Sequence, residues 1–335
     1  MKLNKVIGVT IFSLGAISLM TSSPALAADT DDVDHTVINI AGHDVPVVAD
    51  GLYDRYRSNP PLSVIREESP QTDLSWFETL EKEKVDIGFE SWSPNFYYEN
   101  TKVTAIYTAD IDRLRELLPD AVEEQVQPLQ IWPGRGLVAL TAYAYHYCDN
   151  DTYNEISLAI VTNAPDASNL GPISLVGQAM DKNFWGYVLK LPVDTELAKV
   201  RGVVGYNLPK WVTGIEYRVT PESIVFEVMD AATGRTDFVF ETAKLDDVSV
   251  EPSLVTNSFV NLGHQGELTT GYAVSRQMSY ASSMDDSDVS LVLGTGSFSD
   301  YLRSLDLGEM IRYDYVPDFQ SALYAPEPLN VAGSN

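Results

Sequence analysis

From about residue 131 onward, apolar and polar positions alternate in runs short enough to be strands. Residues 137–147, 157–162, 184–191 and 216–220 follow this period of two. Residues 223–229 and 235–242 form two more runs, and Asp230-Ala231-Ala232-Thr233-Gly234 between them predicts a hairpin turn. Further runs lie near 247–262, 269–280 and 309–315. Ahead of them, 104–107 predicts a short strand and 108–119 switches to the helical period. Ile111, Leu114, Leu117 and Leu118 form one stripe there, with Thr108 as N-cap and Pro119 as the stop. Asp110 and Asp112 fall in the first turn, where carboxylates complement the helix dipole, a role preferred here to metal binding. Other helix signals are confined to about 299–306. Many short strands, one early helix and no βαβ rhythm predict a mainly β (α+β) fold, an antiparallel barrel or sandwich.

The front of the chain follows a different pattern. Lys2 and Lys5 precede an apolar run over 6–20, and Ala25-Leu26-Ala27 supplies small residues at a cleavage site. This three-part pattern predicts a signal peptide cut after Ala27 and export to a periplasm or the exterior. The run is short for a membrane span, and no later stretch reaches 18 unbroken apolar residues, so the mature chain is predicted to leave the membrane. Residues 28–92 are acidic and broken by Pro60-Pro61 and Glu67-Glu68-Ser69-Pro70, which predicts an arm or small cap. The expected organisation is thus signal peptide 1–27, arm 28–92, barrel domain 93–318 and tail 319–335.

Composition narrows the partners. The 335 residues carry 48 acidic and 22 basic side chains, a net charge of −26 that becomes −28 once Lys2 and Lys5 are removed. Such a surface repels phosphate backbones and excludes nucleic acid as a partner; its expected use is solubility in salty surroundings. With 44% hydrophobic and 21% charged residues, a disordered or fibrous chain is also excluded. The single cysteine, Cys148, cannot form an internal disulfide. Residues 145–148 read as a strand that places His146 and Cys148 on one face, but two ligands do not make a metal site, and no metal or cofactor is expected.

There is no G-x-S-x-G, H-E-x-x-H, Walker or dinucleotide-binding motif. What remains is lysine. Lys210 lies in Gly205-Tyr206-Asn207-Leu208-Pro209-Lys210-Trp211-Val212, an apolar setting that disfavours its charged form. A neutral amine attacks a ketone to give an iminium. The alternative from local context is a strand-end lysine laying its stem over Trp211 with its head in water, and Lys190 in Val188-Leu189-Lys190-Leu191-Pro192 has a similar setting.

Four segments in order resemble the acetoacetate decarboxylase family. Tyr107-Thr108-Ala109-Asp110-Ile111-Asp112-Arg113-Leu114 with Pro119 is similar to its early strand–helix signature, and Tyr153-Asn154-Glu155 to the segment bearing an active-site glutamate. Leu191-Pro192-Val193-Asp194-Thr195-Glu196, then Gly202 and Leu208-Pro209-Lys210-Trp211, is similar to its lysine region. Met310-Ile311-Arg312-Tyr313-Asp314-Tyr315 is similar to its closing strand. The likeness spans about 95–317. It implies a cone-shaped antiparallel β-barrel, commonly oligomeric, with Lys210 as Schiff-base lysine and Glu155 orienting substrate or moving protons. Trp211, Tyr206, Tyr143 and Tyr153 are the expected pocket aromatics. Where family decarboxylases carry a second basic residue after the lysine, this chain has Trp211; a second family glutamate falls near Leu140-Thr141; and no arginine stands near Asn100.

Two functions follow as expectations. The first is an exported lyase that decarboxylates a β-keto acid such as acetoacetate or a relative, with aldol or dehydration chemistry on keto acids through the same lysine as its variant. The second is a non-catalytic barrel that binds a small carbonyl ligand.

Overall fold

The computed structural model describes residues 33–329, so the predicted signal peptide lies outside the described residues. The acidic segment before the barrel is folded. β1 (His35–Ile40) and β2 (His43–Val48) form a hairpin through Ala41-Gly42, both at positive φ as a tight two-residue turn demands. α1 (Leu52–Tyr56), α2 (Leu62–Glu68) and a second hairpin, β3 (Glu83–Asp86) with β4 (Glu90–Ser93), complete it.

Next come β5 (Asn95–Asp110), α3 (Ile111–Glu116), α4 (Asp120–Glu123), β6 (Arg135–Cys148) and β7 (Tyr153–Thr162). They are followed by α5 (Pro172–Asp181), β8 (Asn183–Lys190), α6 (Glu196–Tyr206), β9 (Ile215–Val219), β10 (Ser223–Met229) and β11 (Thr236–Ala243). The chain ends with β12 (Ser253–Leu262), β13 (Leu268–Ser283), β14 (Val289–Leu293), α7 (Ser297–Arg303), β15 (Met310–Leu323) and β16 (Glu327–Pro328). Seven strands pair in the order β12-β8-β7-β6-β5-β15-β13, and β13 pairs back to β12, closing a barrel with no free edge. Every junction is antiparallel except β12 with β8, which is parallel. A four-stranded sheet, β14-β11-β10-β9, packs its Phe226, Phe238 and Phe240 into one core with Val103, Leu140, Ala142, Ile156 and Leu158 of the barrel.

Several elements differ from the sequence expectation. The short strand at 104–107 is the middle of the 16-residue β5. Its first half is buried on both faces (Phe96, Tyr97 and Tyr98 in succession), so it shows no alternation. Thr108 still belongs to β5; the cap of α3 is Asp110, whose carboxylate accepts from Arg113 N at 2.7 Å, which also gives that residue a capping role. The two longest helices lacked a sequence signal, as did α1, α2 and α4. α5 begins at Pro172, and α6 is capped by Thr195 and buries Leu197, Ala198, Val200, Arg201, Gly202, Gly205 and Tyr206. A helix covered on nearly all sides has no polar stripe to announce it. The expected tail from 319 is corrected as well. β15 runs to Leu323, and Glu327-Pro328 pair with Thr269 and Thr270 of β13, so the barrel continues past 318.

Candidate active site

A connecting segment brings the two predicted catalytic residues together. After β8, Leu191-Pro192-Val193 runs beside β7, with Ile156 N donating to Pro192 O and Glu155 bridged to Val193. On its far side the same segment pairs with the loop after α6: Leu191 N donates to Pro209 O, Val193 N to Trp211 O, and Thr213 N to Val193 O. That loop is turned by Asn207 in the left-handed conformation and tightened around Pro209, where Lys210 N donates to Leu208 O at 2.8 Å. Three backbone layers therefore set Glu155 and Lys210 side by side.

Lys210 Nζ lies 2.5 Å from Glu155 Oε2, and the two side chains are 7% and 9% exposed. The other carboxylate oxygen, Oε1, accepts from Tyr145 OH at 3.4 Å. The Tyr153 ring stands 5.8 Å from the amine, and its hydroxyl is 3.2 Å from that of Tyr97. Burial, reinforced by the Glu155 charge, holds the phenols of Tyr145 and Tyr153 well above the usual tyrosine range, so both remain neutral donors. Tyr143 is the direct cross-strand partner of Glu155, stacks on Tyr145 at 5.3 Å, and is likewise pushed up by burial. Behind the glutamate, Asp194 accepts from both the backbone and the side-chain amide of Asn154. Burial raises its pKa to about 6, with the Glu155 charge adding to the shift. At neutral pH this carboxylate steadies the strand that presents Glu155.

The arrangement provides a buried amine in hydrogen-bond contact with a carboxylate, walled by neutral phenols. A cleft of about 250 Å³ borders the same loop at Pro209 and is lined also by Tyr187, Leu189, Asn207, Asn261 and Tyr301. Of the sequence-predicted residues, Lys210, Glu155, Tyr153 and Tyr143 come together. Trp211 does not join them: its ring packs edge-on against Phe298 at 5.7 Å, in the core shared with the small sheet. Tyr206 packs with Leu191 and Leu208 in a separate cluster, where burial pushes its pKa up to about 12. Sequence reasoning does not single out Tyr97, Phe319 or Lys102; it is the β5–β6 register that places Lys102 level with Tyr143. His146 and Cys148 do not share a surface. His146 is the extra residue of a bulge opposite Glu99-Asn100 and is exposed, whereas Cys148 is buried with Sγ donating to Asp151 O. Among the described residues no group of three or more His, Cys, Asp or Glu is placed to hold a metal.

The closed seven-stranded barrel belongs to a fold seen before. It resembles the acetoacetate decarboxylase of Legionella pneumophila, with a TM-score of 0.51 and 12% identity over 71% of this chain and 88% of that one. It also resembles the enduracididine biosynthesis enzyme MppR, complexed with the condensation product of pyruvate and imidazole 4-carboxaldehyde, with a TM-score of 0.50 and 12% identity over 72% of this chain and 91% of that one. No family model matches the sequence, and no curated protein matches it. The protein has the acetoacetate decarboxylase-like fold.

Proposed function

We propose that this protein is a Schiff-base enzyme acting on keto acids, with Lys210 as nucleophile and Glu155 as its proton partner. The observation that carries the reading is the 2.5 Å contact between Lys210 Nζ and Glu155 Oε2 inside a nearly closed site. With the proton on Glu155 the amine is neutral, and its lone pair attacks the ketone carbon. The former carbonyl oxygen leaves as water, taking protons from Glu155 and the amine, and an iminium remains. In a β-keto acid the bond to the carboxylate then breaks. Its electron pair enters the iminium, CO₂ departs, and an enamine is left. Protonation at carbon and hydrolysis of the C=N bond release the ketone and restore Lys210. The likeness to an acetoacetate decarboxylase supports this outcome.

A second outcome has support from the likeness to MppR and its bound condensation product. An enamine formed by proton loss from a keto acid attacks an aldehyde carbon, so a carbon–carbon bond forms where the first route breaks one. The deciding experiment incubates the protein with acetoacetate, other β-keto acids, and pyruvate with and without an aldehyde, then reduces with borohydride and maps the modified peptide. A single adduct on Lys210, with CO₂ or a condensation product in the unreduced sample, is expected. Absence of any adduct would leave a barrel that binds a carbonyl ligand without turnover.

We also propose export with cleavage after Ala27, supported by the basic, apolar and small-residue succession of 1–27 and checked by the N-terminal sequence of the secreted protein. Among the described residues no helix is long and apolar enough to cross a membrane. Assembly as a homo-oligomer is proposed too. It has support from Ile173, Val176 and Met180, 58–79% exposed along α5; light scattering on the purified chain tests it.

A further inference from the structure

Lys102, near the middle of β5, is another buried amine, and the proposed mechanism does not use it. Eight lysines follow residue 27, and all are described. Lys82, Lys84, Lys199 and Lys210 are ion-paired, and Lys182 and Lys244 donate to Ser253 and Thr220. Among the described residues Lys102 and Lys190 alone have no polar partner, and of these two only Lys102 is buried, at 7% exposure. A buried ammonium without a counter-ion is costly and rarely left so without a purpose.

Its position is defined by register. Lys102 is the cross-strand partner of Tyr143, and Tyr143 is the cross-strand partner of Glu155. The three side chains therefore stand in one row on one face of the barrel wall. Lys102 and Glu155 are separated by two strand spacings, about 10 Å between their backbones. Lys102 Nζ lies 5.2 Å from the centre of the Phe319 ring, and that ring packs against both Tyr143 and Tyr145. The amine thus borders the aromatic cluster that surrounds Glu155 and Lys210. The acid bearing on it is Asp314 of β15, which is itself held by Arg312 at 2.7 Å. Burial lowers the Lys102 pKa to about 8, with Asp314 opposing the shift, so at neutral pH most of the amine is still charged.

We propose that Lys102 is the anion anchor of this site: its ammonium receives the substrate's carboxylate while the carbonyl faces Lys210. The site then takes an anionic carbonyl compound and discriminates against neutral ketones and esters. This deepens the keto-acid reading and rests on it for the position of the carbonyl. The charge left unpaired in the free protein becomes paired on binding, so the acid gains where its neutral analogue does not.

The test compares acetoacetate with methyl acetoacetate, and pyruvate with methyl pyruvate, by calorimetric titration of the wild type, Lys102→Met, Lys102→Arg and Lys210→Met. The wild type is expected to prefer each acid. Lys102→Met should weaken acid binding by about 10- to 100-fold, the range for a lost hydrogen bond to a charged group, and leave ester binding unchanged. Lys102→Arg should restore much of the preference, which a packing role would not predict. Lys210→Met cannot form an iminium yet should keep the preference for acids, so failure of the Schiff-base reading alone leaves this result standing. The inference is overturned if the wild type shows no preference, if acid and ester binding fall together in Lys102→Met, or if borohydride trapping labels Lys102.

Discussion

The position a Cβ would take on Gly202 lies 2.5 Å from both Cδ and Cε of Lys210, so the lysine stem occupies the space of the missing side chain. Gly202 sits inside α6, where alanine is intrinsically better by about 1 kcal/mol. The glycine is therefore explained by room for Lys210, not by backbone conformation. Gly202→Ala should displace the amine from Glu155 and slow borohydride trapping at least tenfold. Crowding of about 1–3 kcal/mol is partly offset by the helix gain, so the melting temperature should move little. Trapping at the wild-type rate would show that the stem has another path.

The buried pair predicts a cycle. Lys210→Met leaves Glu155 without its cation, and Glu155→Gln leaves Lys210 without its anion. Each single change should cost about 3–5 kcal/mol, whereas the double variant should recover most of that loss. Urea unfolding of the four proteins reads the coupling. Additive losses would mean that the two charges do not depend on each other.

Asp194 sets a pH signature. Its pKa is raised from 3.8 to about 6, chiefly by burial. Between those values the unfolded chain has released a proton that the fold retains, so stability falls as pH rises from about 4 to 6 and then levels. Asp194→Asn lacks this titration. Melting curves from pH 4 to 8 should show the wild type losing ground to the variant across that window; a constant difference would remove Asp194 as the source.

Arg201, next to Gly202, makes the opposite use of α6. Its guanidinium is buried and donates to Tyr53 OH and Ser91 Oγ in the chain leading into the barrel, and to the Asn95 side-chain oxygen at the first residue of β5. Arg201→Met should reduce hydrogen-exchange protection in β1–β4 while β5, β6 and β7 keep theirs. Uniform loss over the whole chain would show instead that the barrel depends on this contact.

Much of the barrel was legible because its strands alternate. Residues 137–147 and 184–191 lie within a residue or two of the barrel strands β6 and β8, and 223–229 coincide with β10 of the small sheet. Alternation vanishes where both faces are covered, which hid the first half of β5 and with it Lys102. It also hid α6, whose buried sides erase the helical stripe. In the site, Lys210 and Glu155 were legible through short motifs, but Trp211 and Tyr206 were drawn in by sequence proximity alone. Adjacent residues on an extended segment point to opposite sides, and Trp211 follows that rule into the core.

The sequence by itself determined the strand-rich class, the strong net acidity and the apolar setting of Lys210. These are local properties of period, charge and neighbouring side chains. Tertiary structure alone decided the barrel's closure through the β12–β13 pairing, the meeting of Lys210 with Glu155 across Leu191-Pro192-Val193, and the row that sets Lys102 beside Tyr143. Each depends on the register between segments tens of residues apart, which no local pattern encodes, because many registers satisfy the same alternation and only simultaneous packing of both faces selects one.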